Sequence, residues 1–289
     1  MTSVKMWIFV AVSMALGTLS CRAEEFILGT HPQADPFFLD VLNEALKAAD
    51  GNHSLRTYEV KYNQARTLLD LEAGQAAYNI YFTGHDKARE ESLLQIDIPL
   101  TKGLLGTRVL FVHPNSAQKI DRVTSFNELK KFRFISGITW PDTEILRHNG
   151  LKVLTAPKDN QLLMLIRNRV DIYPRGAMEW VKEWKEWKPY FNRKQVRLNT
   201  HIVLKYRADL FFYLSKSDIR RAAILRQGLE RIMKNGVYER MFNGSQHMRE
   251  ALEAIMKHNP LVFELENPLV SERVKNIPEE YWYQFREKP

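Results

Sequence analysis

An arginine one turn into a helix, just after a polar strand end, can hold an anion. The free N–H groups of the helix N-terminus point at the ligand, and the guanidinium offers two parallel hydrogen bonds. Arg89 stands in that setting here. Asn79-Ile80-Tyr81-Phe82 reads as a short strand, Thr83-Gly84-His85-Asp86 as a turn, and Lys87 onward as a charged helical turn or two. Thr83 would supply a hydroxyl and Gly84 a backbone N–H. The competing fate of Arg89 is a surface ion pair with Glu90 or Glu91. A second arginine, Arg175, follows the strand candidate Val170-Asp171-Ile172-Tyr173, and its competing fate is a pair with Glu179 one turn on. The eight histidines are scattered without metal-ligand spacing, and no G-x-S-x-G, P-loop or G-x-G-x-x-G occurs. No catalytic residue, metal site or cofactor is therefore expected.

The elements that must position these residues alternate. Phe26 to Thr30 reads as a strand. Phe38, Val41, Leu42, Ala45, Leu46 and Ala49 recur at helical spacing, and Leu55 to Val60 is a second strand. A helix from Asn63 to Ala73 and the strand before Thr83 complete one β-α-β-α-β unit. A second runs from Phe132 to Tyr173. Such order predicts parallel sheets covered by helices, with ligands beyond the carboxyl ends of the strands. That puts His31 to Phe37 and Thr83 to Arg89 on one rim. Trp180, Trp184 and Trp187, spaced helically among lysines and glutamates, read as the core-facing stripe of an amphipathic helix.

The 289 residues, 45% hydrophobic and 26% charged, are ample for two lobes. The net charge of +8 is spread along the chain, unlike the clustered footprint of a nucleic-acid binder. Lys5, an apolar run to Leu19, and Ser20-Cys21-Arg22-Ala23 read as a secretory leader cleaved after Ala23. Acylation of Cys21 is the competing reading, weakened by Thr18 where a lipoprotein signal wants Leu. The expectation is a protein of the periplasm that starts at Glu24, has no later membrane span, and carries no cysteine.

The ordered segments resemble the bacterial periplasmic solute-binding proteins of family 3, the type II, amino-acid-binding class. Thr83, Arg89, Ile96-Asp97-Ile98-Pro99-Leu100 and the strand Arg108 to Val112 follow that family's first-lobe course. Ser125 to Lys131, Gly137 and Leu162 to Asp171 follow its second lobe. The block from Asp209 to Phe242 is similar to its return strand and closing helices. The resemblance covers residues 26–242. It implies an α/β, two-lobe periplasmic binding protein type II fold, with a hinged cleft and two crossovers. The implied parts are lobe 1 at 24–106, lobe 2 at 107–207, a return to lobe 1 at 208–245, and an extension at 246–289. The extension begins with a helix near His247 and ends as an irregular strap packed on one lobe.

The resemblance implies that Arg89 grips a carboxylate. It places Thr139, Trp140 and Thr143 at a second-lobe helix N-terminus facing the ligand, with Trp140 as an apolar lid. Where amino-acid-binding members carry an acidic residue, this chain has Pro174-Arg175-Gly176. Arg89 and Arg175 facing each other would suit a dianion better than a zwitterion. The expected site is thus Arg89, Thr83, Gly84, Phe37, Thr139, Trp140, Thr143 and Arg175. The expected function is binding of a small anionic or amino-acid-like solute by a monomer, for an inner-membrane permease of ABC type or a membrane sensor. The alternatives are an exported dehydratase-like enzyme on the same fold, for which Asp142 and Glu144 are the rim acids, and an accessory protein that has lost its ligand.

Overall fold

The computed structural model describes residues 23–31, 34–256 and 259–285. Of the expected leader, residues 1–23, all but Ala23 lie outside them, Cys21 included. The first lobe opens with β1 (Glu25–Thr30), α1 (Pro36–Ala48), β2 (Ser54–Glu59), α2 (Gln64–Glu72), β3 (Tyr81–Gly84), α3 (Lys87–Ser92) and β4 (Leu93–Gln95). The second lobe comprises β5 (Thr107–Val112), α4 (Pro114–Ile120), α5 (Phe126–Leu129), β6 (Arg133–Gly137) and α6 (Pro141–His148). It continues through β7 (Lys152–Ala156), α7 (Lys158–Ile166), β8 (Ile172–Gly176), α8 (Trp180–Asn192) and β9 (Arg197–Tyr206). Then β10 (Leu210–Ser215), α9 (Ile219–Lys234) and α10 (Val237–Gly244) return to the first lobe. α11 (Gln246–Met256), β11 (Leu261–Leu265) and α12 (Glu272–Lys275) follow.

In the first lobe β1 and β2 pair in parallel, a bridge from Leu28 to Ile80 extends them, and β10 inserts antiparallel between β3 and β4. α1 forms because Asp35 caps it, accepting from the Phe37 N–H at 2.9 Å, and Pro36 presets its first turn. Its face of Phe38, Val41, Leu42, Ala45 and Leu46 is buried against α9. Burial of one such leucine is worth about 1.5–3 kcal/mol. The two helices meet so closely that a Cβ on Gly228 would stand 2.0 Å from the Ala45 carbonyl oxygen. Only glycine fits there.

The second lobe is a six-stranded sheet in the order β11-β9-β5-β8-β6-β7. Two of these strands were not expected from the sequence. β9 lacks clean alternation because Asn199-Thr200-His201 interrupts it, and its pairing with β5 shifts register between Val109 and Leu110. The Asn199 side chain occupies the break, accepting from the His201 and Ile202 N–H groups. β11 belongs to the segment expected to be an irregular strap on one lobe, and that expectation needs correcting. The segment adds a parallel edge strand to the second lobe, then crosses to pack Val274, Ile277 and Trp282 with Phe211 and Tyr213 of the first. Backbone pairing offered by β9, rather than β11's own burial pattern, makes it a strand.

The crossovers meet at Asp209, which is fully buried. Its Oδ1 accepts from the N–H groups of Thr101 (2.8 Å) and Leu210 (2.7 Å). Its Oδ2 accepts from the Thr101 hydroxyl (2.8 Å) and the Gly103 N–H (2.5 Å). Burial pushes the carboxyl up to about 7, and the bonds from Gly103 and Thr101 oppose it. A Cβ on Gly106 would stand 2.0 Å from the Tyr206 carbonyl oxygen, so the two crossovers touch backbone to backbone. Asp209→Asn puts a donor where only donors face it. Each donor left without an acceptor costs about 1–3 kcal/mol. Urea unfolding should show a loss of at least about 2 kcal/mol; an unchanged midpoint would mean that this carboxylate does not hold the crossovers together.

Candidate functional site

Between the lobes lies a cleft of about 1830 Å³. His31, Phe38, Tyr81, Phe82, Thr83 and Arg89 line it from the first lobe; Arg108, Trp140, Asp142, Arg175, Glu179 and Tyr206 line it from the second. β3 ends at Gly84, and Asp86 caps α3 by accepting from the Ala88 and Arg89 N–H groups. This sharp strand-to-helix turn aims Arg89 back along the strand it follows. The Arg89 Nη1 donates to the Gly84 carbonyl (2.7 Å) and the Thr83 hydroxyl (3.3 Å), and Nη2 to Gln64 Oε1 (3.1 Å). All three acceptors are neutral. Among the described residues no carboxylate pairs with Arg89, so its charge is held in place and left uncompensated. The ion pair with Glu90 or Glu91 is not made; Glu90 accepts from Ser271 instead, at 2.6 Å.

The second-lobe wall is the reverse: its arginines are neutralised. Arg175 is buried and forks onto Glu183, with Nε at 2.8 Å and Nη2 at 2.6 Å, while Nη2 also reaches Glu179 at 2.9 Å. Its guanidinium lies 4.8 Å from the Trp140 ring and 5.2 Å from the Tyr173 ring. Burial raises the Glu183 carboxyl, and the bonds from Arg175 oppose that rise. Arg108 pairs with Asp142 at 2.6 Å, stacks 4.9 Å from the Tyr206 ring, and shares Asp142 with the Tyr206 hydroxyl. Burial would raise Asp142, but the Arg108 charge and these two bonds hold it below the ordinary carboxylate value. Three carboxylates therefore face two guanidiniums. Glu179 gives one oxygen to Arg175 and its side chain is 58% exposed, so it keeps acceptor capacity at the cleft.

The structure thus gathers five of the expected residues, Thr83, Gly84, Arg89, Trp140 and Arg175, on one cleft, and changes the role of several. Arg175 does not face a ligand as a free cation: Glu183, in the first turn of α8, takes its fork. Trp140 is no free lid, because the Arg175 guanidinium covers its ring and Gly137 lies beneath it. The Gly84 carbonyl serves Arg89, and the Thr83 oxygen already accepts from Gln64 at 2.7 Å and from Arg89. Thr143 is buried and its hydroxyl donates to the Gly137 carbonyl at 2.6 Å, so it braces α6 rather than a ligand. Thr139 does not line the cleft; it lies with Ile138 and Arg147 on a neighbouring groove that shares Trp140 and Pro141 with it. Phe37 is buried among Tyr238 and Phe242. α1 begins at Pro36, so the next residue, Phe38, turns to the cleft and packs on Phe82 with ring centroids 4.5 Å apart.

Sequence reasoning missed Arg108, Asp142, Tyr206 and Phe38. Asp142, in the first turn of α6, was visible as a rim acid, but its partners are 34 and 64 residues away and no local spacing joins them. Among the described residues no cluster of acids, histidines or cysteines is arranged to hold a metal ion, and no helix is long and apolar enough to cross a membrane.

Neither a family model nor a curated protein matches the sequence. Solved structures do match the fold. The chain is similar to the YckB protein of Bacillus subtilis, at 15% identity and a TM-score of 0.52, over 83% of this chain and 96% of that one. It is also similar to the probable amino-acid ABC transporter extracellular-binding protein YtmK of Bacillus subtilis. There the identity is 14% and the TM-score 0.51, over 78% of this chain and 99% of that one. At such identity the likeness is one of fold: two α/β lobes with a cleft between them.

Breaking a buried ion pair from one side costs about 3–5 kcal/mol. Arg175→Leu should therefore lower stability to urea by that order, and adding Glu183→Leu should recover a large part of the loss. A double-mutant cycle measures the coupling. Full stability of Arg175→Leu, with only ligand affinity lost, would return Arg175 to the ligand.

Proposed function

We propose that this protein binds a small amino-acid-like solute in the interlobe cleft and delivers it to a membrane permease or sensor. The observation that carries the reading is Arg89, a guanidinium held by neutral acceptors, without a carboxylate partner among the described residues, and lining the cleft. A ligand carboxylate completes it with charge-assisted bonds from Nε and the remaining Nη2 hydrogen. From the opposite wall Glu179 offers a carboxylate oxygen for an ammonium group, one turn beyond Gly176. The acid sought at positions 174–176 is thus supplied by the start of the next helix. Phe38 and Phe82 give the side chain of the solute an aromatic floor. A zwitterion fits these walls better than a dianion, because Arg175 has no charge to offer.

The fold shared with the probable amino-acid ABC transporter binding protein YtmK supports this reading. Export through a leader over residues 1–23, and a monomer that serves an inner-membrane partner, belong to the same proposal. Catalysis on this fold would need a cleft acid or base free to exchange protons with a substrate. Asp142 and Asp209 are instead committed to Arg108, Tyr206 and the crossover backbone, and Glu179 is assigned here to the ammonium group of the solute, which favours binding.

Native mass spectrometry of the purified protein identifies the solute, and calorimetry with that solute tests the site. A desolvated charged hydrogen-bond pair is worth about 1.5–3 kcal/mol, so Arg89→Ala should weaken binding roughly tenfold to a hundredfold. Arg89→Lys should not restore it, since an ammonium cannot make the fork. Glu179→Gln should weaken an α-amino acid but leave its deaminated analogue unchanged. Wild-type affinity in Arg89→Ala would place the anion site elsewhere.

A further inference from the structure

His247, the second residue of α11, stands between the two lobes. Its Nδ1 lies 2.6 Å from Asp35 Oδ2, at the cap of α1 in the first lobe. Its Nε2 lies 2.8 Å from the Met178 carbonyl oxygen, in the turn between β8 and α8 of the second. A carboxylate and a carbonyl both only accept hydrogen bonds. The imidazole can serve both only with a proton on each nitrogen, that is, as a cation; a neutral ring would turn a lone pair toward one of them. Asp35 is held for this role, since its other oxygen caps α1. The helix that carries His247 is itself a wedge. Met248, Ala251 and Ile255 are buried in one apolar cluster with first-lobe Leu42 and Tyr238 and second-lobe Ala177 and Val203.

We propose that His247 is a proton-operated latch between the lobes: as a cation it joins Asp35 to the Met178 carbonyl and holds the cleft as seen here, and on losing its proton it frees one side and lets the lobes part. The latch is independent of which solute the cleft takes.

The surrounding charges agree with the geometry. Asp35 from α1 and Glu250 one turn along α11 face the ring. Several charged groups on the other elements packed against α11 have partners of their own. Glu239 of α10 pairs with Lys102, Glu183 of α8 with Arg175, Lys182 with Glu186, and Lys205 of β9 with Glu264. The bond to Asp35 raises the imidazole above its ordinary 6.5, against burial, which lowers it; the same bond lowers Asp35 below its ordinary 3.8. For a raised histidine the stabilisation is full below the ordinary value and is lost as pH rises through the raised one. For a lowered carboxyl it is present above the ordinary value and is lost as pH falls through the lowered one. The latch is therefore strongest between 3.8 and 6.5 and weakens above that window.

The test measures the lobes without solute. Cys21 is the chain's one cysteine, so Cys21→Ser clears the background for spin labels. Lys47→Cys on α1 and Lys152→Cys on β7 are exposed positions, one on each lobe. Electron–electron distances are compared at about pH 5.5 and about pH 9, on either side of the histidine range. In the otherwise wild-type chain the separated population should grow several-fold at the higher pH. Each unit by which closure raises the imidazole is worth a factor of about ten in the closing equilibrium. His247→Gln should show the separated population at both pH values. Asp35→Asn, which keeps a good helix cap, should shift the transition to lower pH. Equal distances at both pH values, an unchanged transition in Asp35→Asn, or an unaltered pH response in His247→Gln would overturn the latch; the last would assign the response to another group, such as His31 or His85.

Discussion

The Asp209 carboxylate is the contact on which the two-lobed arrangement depends. Two chain crossings between lobes leave little room for side chains, and here they touch where Gly106 meets the Tyr206 carbonyl. Backbone N–H groups in so tight a place have no strand partner and no water, and an unmade bond there costs about as much as a residue's worth of packing. One fully buried carboxylate answers three such N–H groups, of Thr101, Gly103 and Leu210, and the Thr101 hydroxyl. The Trp282 ring then closes the outer side, against Gly103 in its left-handed conformation and 4.5 Å from the Arg207 guanidinium. A joint satisfied in this way ties the two crossovers together at the base of the cleft.

Charge within that cleft follows a simple division. Removing an ion from water costs several kcal/mol unless a partner and hydrogen bonds replace the water. Arg175, with its side chain only 7% exposed, meets that condition through Glu183, Glu179 and two aromatic rings. Arg108, at 12%, meets it through Asp142 and Tyr206. Both are part of the wall. Arg89 is only half-buried and, among the described residues, bonds to neutral oxygens alone. The same residue type is neutralised on one lobe and left with only neutral partners among the described residues on the other, and burial with a carboxylate partner makes the difference.

The described residues from Gln246 onward act on both lobes at once. β11 lengthens the second-lobe sheet, while α12 braces the helix of Arg89. Ser271 donates to Glu90, Arg273 binds Asp97 at 2.7 Å, and Lys87 donates to the Pro268 carbonyl. α11 fills the space between the lobes. A segment with so many fixed points limits how far the lobes can separate, which gives a single imidazole on it leverage over the cleft.

The resemblance of the ordered segments implied the two-lobed fold class; the sequence by itself determined the strands and helices of the two β-α-β-α-β units and the turn at Thr83 to Arg89. These rest on local signals: apolar periodicity, capping residues, and turn chemistry within about ten positions. It did not determine which arginine is free. Arg175 sits four residues from Glu179, the partner that spacing suggests, yet its main partner is Glu183, eight residues on, because the turn after Gly176 brings α8 back over β8. Neither did it show that His247 meets Asp35 across 212 positions, or that β11 is a strand. Those contacts exist only once the sheets are formed. A hydrogen bond or ion pair depends on distance in space, and between separate elements the chain's numbering carries no information about that distance.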